Sequence, residues 1–199
     1  MNFRSTRGRL AAAAIGALAA CTMAVSATPA SAAASDGYLS GGGSIFDDFG
    51  DEGTLSTSSY ASSGVTCFWQ NVLYAEGAIE SDGSTFDRED IDGHFGANTK
   101  AATQSLQRRW SLTADGIVGN GTFGKADRKR TYLPDVDGGV WTTGLEHLDT
   151  YSNGHITAKY HGVKHTFRMN RGYQGRWDFV NARNYGNWNL ASYNTLHCA

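Results

Sequence analysis

Hydrophobic side chains recur with a helical period in the middle of this chain and with a strand-like pattern near its end. Phe68, Trp69, Val72 and Leu73 are spaced i, i+1, i+4, i+5, one stripe of a helix predicted over residues 66–76, and Gly77 follows where a helix C-terminus favours glycine. Ala102, Leu106 and the Arg109-Trp110 pair bring apolar surface to one face of a second helix over 99–110, and a short third helix is predicted over 122–129. Beyond residue 132 the pattern changes. β-Forming residues cluster or alternate at 155–160, 165–169, 177–180 and 188–193, separated by Asn153-Gly154, Arg171-Gly172 and Tyr185-Gly186. The expected class is α+β: a small three-helix bundle followed by a small antiparallel β-rich C-terminal region.

Two related octapeptides precede the second and third helices. Asp92-Gly93-His94-Phe95-Gly96-Ala97-Asn98-Thr99 returns as Asp115-Gly116-Ile117-Val118-Gly119-Asn120-Gly121-Thr122, with Asp, both glycines and Thr in register. Each copy reads as a chain reversal that starts a helix. Asp-Gly supplies a tight turn, the second glycine (Gly96, Gly119) is expected to take a positive φ, and Thr99 or Thr122 lies in the first helical turn. Phe95, Val118 and Leu106 are expected core residues.

These residues carry a family resemblance. Trp69-Gln70, Leu73 and Gly77 in the first helix, Thr99, Ala101, Ala102, Leu106 and Gln107 in the second, and the run from Leu112 through Asp115-Gly116-Ile117-Val118 to Gly119 resemble the small three-helix peptidoglycan-binding domain often appended to bacterial cell-wall hydrolases. The likeness covers residues 65–131. Thr103, Ser111 and Asn120 depart from it, standing where an apolar residue, Gly and Pro are usual. The resemblance implies binding of glycan strand or stem peptide. The turns would present Asp92, His94, Asn98, Asp115 and Asn120 near helix N-termini, where free N–H groups favour a carboxylate, and Arg108 would supply a charged clamp. The structural reading of the two aspartates is that they brace their own turns.

The N-terminus has the form of an export signal. Arg4, Arg7 and Arg9 precede a small-apolar run, and Ala30-Ser31-Ala32 offers a cleavage site, giving a signal peptide over 1–32. The alternative is a lipoprotein anchored through Cys21, since Leu18-Ala19-Ala20-Cys21 resembles a lipobox. Later stretches fall short of the ~20 apolar residues of a membrane span. Residues 33–64, rich in Gly, Ser and Asp, are expected to form a flexible linker. Cys67 and Cys198 then remain as an even pair, which an oxidising compartment would join as a disulfide, with two reduced thiols as the alternative. The formal net charge is −2, but acidic residues crowd the first half and the second half is net basic. That polarity suits an anionic wall polymer as a further partner and disfavours nucleic acid.

The remaining question is what residues 132–199 do. Trp141, Tyr151, Tyr160, Phe167, Tyr173, Trp177, Phe179, Tyr185, Trp188 and Tyr193 exceed what a small sheet buries easily. They are read as core, with a sugar-stacking face accompanied by Asn153, Asn170, Asn184 and Asn187 as the alternative. No catalytic constellation stands out. His161 and His165 lie four apart on predicted strand or turn, without the glutamate of helical zinc motifs. His197-Cys198 has no orienting third residue, and nothing sets the separation of Glu146, Asp149 and Asp178. No cofactor and no metal are expected. The reading is a secreted, non-catalytic peptidoglycan binder. The competing classes are a small wall hydrolase with an unrecognised catalytic tail, distinguished by clearing of wall suspensions, and a secreted inhibitor retained at the wall, distinguished by tail-dependent capture of a protein.

Overall fold

The computed structural model describes residues 34–134, 136 and 138–198; the expected signal segment, with Cys21 and the cleavage site, lies outside the described residues. After a single turn of 3-10 helix at Ala34–Asp36 come three helices, α1 (Gly64–Glu76), α2 (Ala97–Arg109) and α3 (Asn120–Ala126). Seven strands follow: β1 (Tyr132–Leu133), β2 (Val140–Trp141), β3 (Gly144–Thr150), β4 (Ile156–His161), β5 (Thr166–Arg171), β6 (Trp177–Val180) and β7 (Trp188–Leu190). The class is α+β, as the periodicity predicts, with β1, β2 and β3 in addition to the expected strands.

α1 is capped at both ends by side-chain and backbone chemistry written locally. Ser63 accepts from the Thr66 N–H at 3.0 Å, and Gly77 stands in the left-handed conformation at φ 58° with its N–H on the Tyr74 carbonyl. Every residue of the helix is buried. One side meets the other helices, where Trp69 packs edge-on against Phe123 and Trp110 and donates its indole N–H to Thr103 Oγ1 at 2.9 Å. The other side meets the sheet, where Phe68 packs edge-on with Phe167 and Phe179. The polar residue at position 103, a departure from the family pattern, therefore has a partner that an apolar residue would leave unpaired.

The chain reverses before α2 and α3 around a buried glutamine. Gln70 Oε1 accepts from the N–H groups of Asp92 and Gly93 at 3.1 and 2.7 Å, while Nε2 reaches Asp92 Oδ1, the His94 carbonyl and Thr99 Oγ1 at 2.9, 3.1 and 3.0 Å. Gln107 makes the matching set, with Gly116 N–H on Oε1 at 2.9 Å and Nε2 to Asp115 Oδ1, the Ile117 carbonyl and Thr122 Oγ1 at 3.0, 2.8 and 3.1 Å. Each aspartate also accepts from the N–H two residues on, at 2.8 Å in both turns. A single amide side chain thus supplies the donor and acceptor that a neighbouring strand would otherwise provide. One expectation is corrected. The positive φ belongs to the first glycines, Gly93 at 76° and Gly116 at 73°, whereas Gly96 and Gly119 are extended N-caps at −85° and −107°. The tight Asp-Gly corner, not the helix start, demands the left-handed conformation.

The five larger strands form an antiparallel meander in the order β3-β4-β5-β6-β7. Alternation sends Ile156, Ala158 and Tyr160, then Phe167 and Met169, then Trp177 and Phe179 to the core face against α1. A bulge between His147 and Asp149 bends the edge strand.

The largest departure lies in residues 34–63. The expected flexible linker is instead a strap built into the core, with Leu39, Phe49 and Leu55 fully buried and Ile45 nearly so. Leu39 exchanges backbone hydrogen bonds with Ala191 and Trp177, Leu55 with Val118, and the Phe95 N–H reaches the Ala61 carbonyl. Asp48 accepts from both sides, taking Arg171 Nη1 at 2.7 Å and the Trp177 indole N–H at 2.9 Å on Oδ2. Glu52 takes the Tyr193 hydroxyl at 2.8 Å and the Ser40 N–H at 2.7 Å. Asp127 Oδ2 accepts from the Phe49 N–H at 2.7 Å. Composition pointed to disorder because Gly and Ser dominate, but these few anchors satisfy the segment's polar groups as it is buried.

Burial raises all three acids. Asp127 stands at about 7, pushed up by burial first and by Asp48 and Asp47, against the pull of the Phe49 N–H. Glu52 is raised to about 7 and Asp48 to about 6, in each case chiefly by burial.

The disulfide joins Cys67 to Cys198 across a sequence separation of 131 residues, tying α1 to the C-terminal segment. By loop entropy such a closure stabilises by about 5 kcal/mol, so replacing both cysteines by Ala should lower the urea-unfolding free energy by about 2–5 kcal/mol. Gln107→Leu strands the Gly116 N–H and the Ile117 carbonyl, for an expected loss of about 2–4 kcal/mol in the same assay. Because the folded pKa of Asp127 lies above the ordinary 3.8, its contribution is full below about pH 4 and is lost as pH rises through 7. Asp127→Asn keeps the acceptor for Phe49 without the charge, so its stability relative to wild type should climb between pH 4 and 8 by on the order of 2 kcal/mol, read from urea midpoints.

Candidate functional site

The second turn borders a groove of about 270 Å³ lined by Gln107, Leu112, Asp115, Ile117 and Asn120. Its two kinds of wall come from one short segment. Ile117, between the turn glycines, is 41% exposed although its neighbour Val118 is fully buried. Asp115 and Asn120 flank it with polar groups. Asp115 commits Oδ1 to Gln107 and to the Ile117 N–H, and Oδ2 takes no hydrogen bond from the described residues. A receptor of this form offers an apolar floor with fixed acceptors and amide donors at its rim, the combination that suits sugars and short peptides.

The first turn has the same frame with other side chains outward. Asp92 gives Oδ1 to Gln70 and the His94 N–H, while the His94 ring and the Asn98 side chain are exposed. α2 begins at Ala97 behind its N-cap Gly96, which has no side chain, so the first-turn N–H groups of Ala97 and Asn98 have no side-chain cap at the positive end of a 13-residue helix. Gly93, Thr99, Gly116 and Thr122 are held in the hydrogen-bonded turns, with Gly96 and Gly119 as N-caps. Arg108 is exposed in the last turn of α2, apart from the residues that line the groove. Its neighbour Arg109 pairs with the buried Glu76 at 2.5 Å.

Sequence reasoning assigned no role to Gln70 and Gln107, which position both turns. Their separations from the aspartates they hold, 22 and 8 residues, differ, so no fixed motif exposes them. The available signal was a glutamine directly after a core aromatic or leucine, in Trp69-Gln70 and Leu106-Gln107, where burial demands a partner.

In the β-rich region the candidate catalytic groups are dispersed. His161 Nε2 meets Glu146 Oε2 at 2.7 Å, which lowers the Glu146 pKa. His165 instead stacks on Tyr74 at 4.2 Å, with burial and the charges of Arg88 and Lys164 holding its pKa down. Asp149 and Asp178 share one row of the sheet through Thr157 and Asn170, three strand spacings apart. That is roughly 14 Å, beyond the carboxylate separations of glycoside hydrolases.

Residues 71–125 match the family described as putative peptidoglycan binding domain, which spans the end of α1, both turns and α2 through most of α3. A zinc D-Ala-D-Ala carboxypeptidase of Streptomyces albus G is 57% identical over 35 residues, 18% of this chain and 14% of that protein. No solved structure matches the chain. The likeness to the carboxypeptidase is therefore local and covers a small part of either protein. Across residues 71–125 this chain carries a peptidoglycan-binding domain of that family.

Proposed function

We propose that this is an exported, non-catalytic protein that holds bacterial peptidoglycan through its helical region. The observation that carries the reading is the family match over residues 71–125, which coincides with two rigid turns and an open, mixed apolar and polar groove. In this reading Ile117 and Leu112 pack against the apolar face of the ligand, and Asp115 and Asn120 bind its amides and hydroxyls. Asp92, His94 and Asn98 flank the open N-terminus of α2, which favours a stem-peptide carboxylate. Arg108 supplies a more distant positive charge, and anionic wall polymers are a further partner of the basic second half. No helix among the described residues is long and apolar enough to cross a membrane, and attachment to the wall would come from the glycopeptide.

Sedimentation with purified sacculi at physiological salt tests the proposal. Wild-type protein is expected in the pellet without clearing the suspension. Paired replacement of Ile117 by Ser and Asn120 by Ala should weaken binding by about tenfold, a loss of two groove contacts. Protein left entirely in the supernatant would end the reading, and loss of turbidity would make the chain a wall hydrolase instead.

A further inference from the structure

The five-stranded sheet has two faces, and the outer one, turned away from α1, is not plain solvated surface. Tyr151 beyond β3, His155 before β4, Arg168 and Asn170 on β5 and Trp188 on β7 surround a groove of about 310 Å³, with Asn153 at its rim. Two large aromatics that the core could have taken are left out, Tyr151 at 52% and Trp188 at 44% exposure. Between them the sheet is polar. Asn170 pairs in register with Asp178, and Asp178 Oδ1 is buried without a hydrogen-bond partner among the described residues. Burial raises the pKa of Asp178, opposed by the Asn170 hydrogen bond and the nearby His155. Asp178 thus lies next to the groove rather than in its lining, where its hydrogen bond with Asn170 fixes the amide that does line it.

We propose that this outer face is a second, independent binding site for a glycan, with a β-linked N-acetylhexosamine chain as its ligand. A pyranose presents an apolar C–H face and an equatorial rim of hydroxyls. Trp188 and Tyr151 supply the stacking surfaces, and Asn153, Asn170 and Arg168 supply amide and guanidinium donors to the rim and to the acetamido carbonyl. An extended peptide is disfavoured because the groove lies on a face of the sheet and its floor comes from the interior strands β4 and β5, whose backbone groups are already paired on both sides. Its identity as wall glycan rests on the proposed function above. Given that, the helical groove and the sheet face would hold one polymer at two points on one rigid body, so the two affinities reinforce each other.

Titration calorimetry of the full, disulfide-bonded chain with chitotetraose, the β-1,4-linked N-acetylglucosamine tetramer, tests the site. Wild type is expected to bind, Trp188→Ala to weaken binding by about tenfold and Tyr151→Ala by several-fold. Asn170→Asp places a second carboxylate beside Asp178 and should also weaken it, whereas Val163→Ala, an exposed position in the β4–β5 connection outside both grooves, should leave chitotetraose affinity unchanged. Near-UV circular dichroism establishes that each variant is folded, and both aromatics lie outside the core. No binding of chitotetraose by wild type, or equal binding by folded Trp188→Ala, overturns the proposal. Sacculi sedimentation separates the two readings: pelleting without chitotetraose binding removes the sheet site and keeps the wall-binding function, and chitotetraose binding without pelleting does the reverse.

Discussion

Complete burial of α1 is the constraint from which the architecture follows. A 13-residue helix with no exposed side cannot be stabilised by one neighbouring layer. The other helices cover Trp69 and Gln70, and the sheet, with the strap threaded beside it, covers Phe68 and the residues around it. Fully burying side chains of this size contributes about 1.5–3 kcal/mol each, so either layer alone would leave several such contributions unrealised. The helical region that carries the family likeness and the β-rich region are thus one hydrophobic core. Even the acid that ends α1 is drawn in. Glu76 is buried with its pKa raised, held by the Tyr160 hydroxyl at 2.8 Å from the sheet side and by Arg109 from the helix side.

Charged groups at the strap obey the same logic. Asp48 and Arg171 are both buried and hydrogen-bonded to each other and to further partners, which is the condition under which a buried pair is tolerated. Glu52 and Asp127 rest on neutral donors among the described residues, and burial without a paired cation there raises both pKa values. Docking of the strap is therefore linked to proton uptake. The disulfide adds a covalent tie, and the C-terminal segment it anchors is bonded to the strap through Tyr193, so both close over the same helix.

This rigidity bears on binding. The two turns are set by Gln70 and Gln107 rather than by flexible loop contacts, and strap residues Leu55 and Ala61 hold their backbones from outside. On the proposed reading Ile117, Asp115 and Asn120 would meet the ligand on a frame that needs little ordering, which favours affinity for a given contact area. The aromatics of the β-rich region divide between core and surface. Tyr160, Phe167, Trp177, Phe179 and Tyr193 point into the core, and Trp141, Tyr151, Tyr173, Tyr185 and Trp188 remain exposed.

Much of this was legible in the residues. Helical spacing located α1 and α2, Gly77 marked the end of the first, the Asp-Gly corners announced the turns, β-formers marked β4 to β7, and cysteine parity paired Cys67 with Cys198. These signals are local, or in the last case follow from counting, so no tertiary knowledge was needed to read them. The strap was not legible, because Leu39, Ile45, Phe49 and Leu55 are too widely spaced to form a periodic stripe and become core only where Trp177, Phe68 and Val118 surround them. Which glycine needed a positive φ and which aromatics stayed outside were likewise decided in three dimensions. Periodicity reports a side chain's direction relative to its own element, but burial and hydrogen-bond satisfaction depend on what distant chain arrives opposite it.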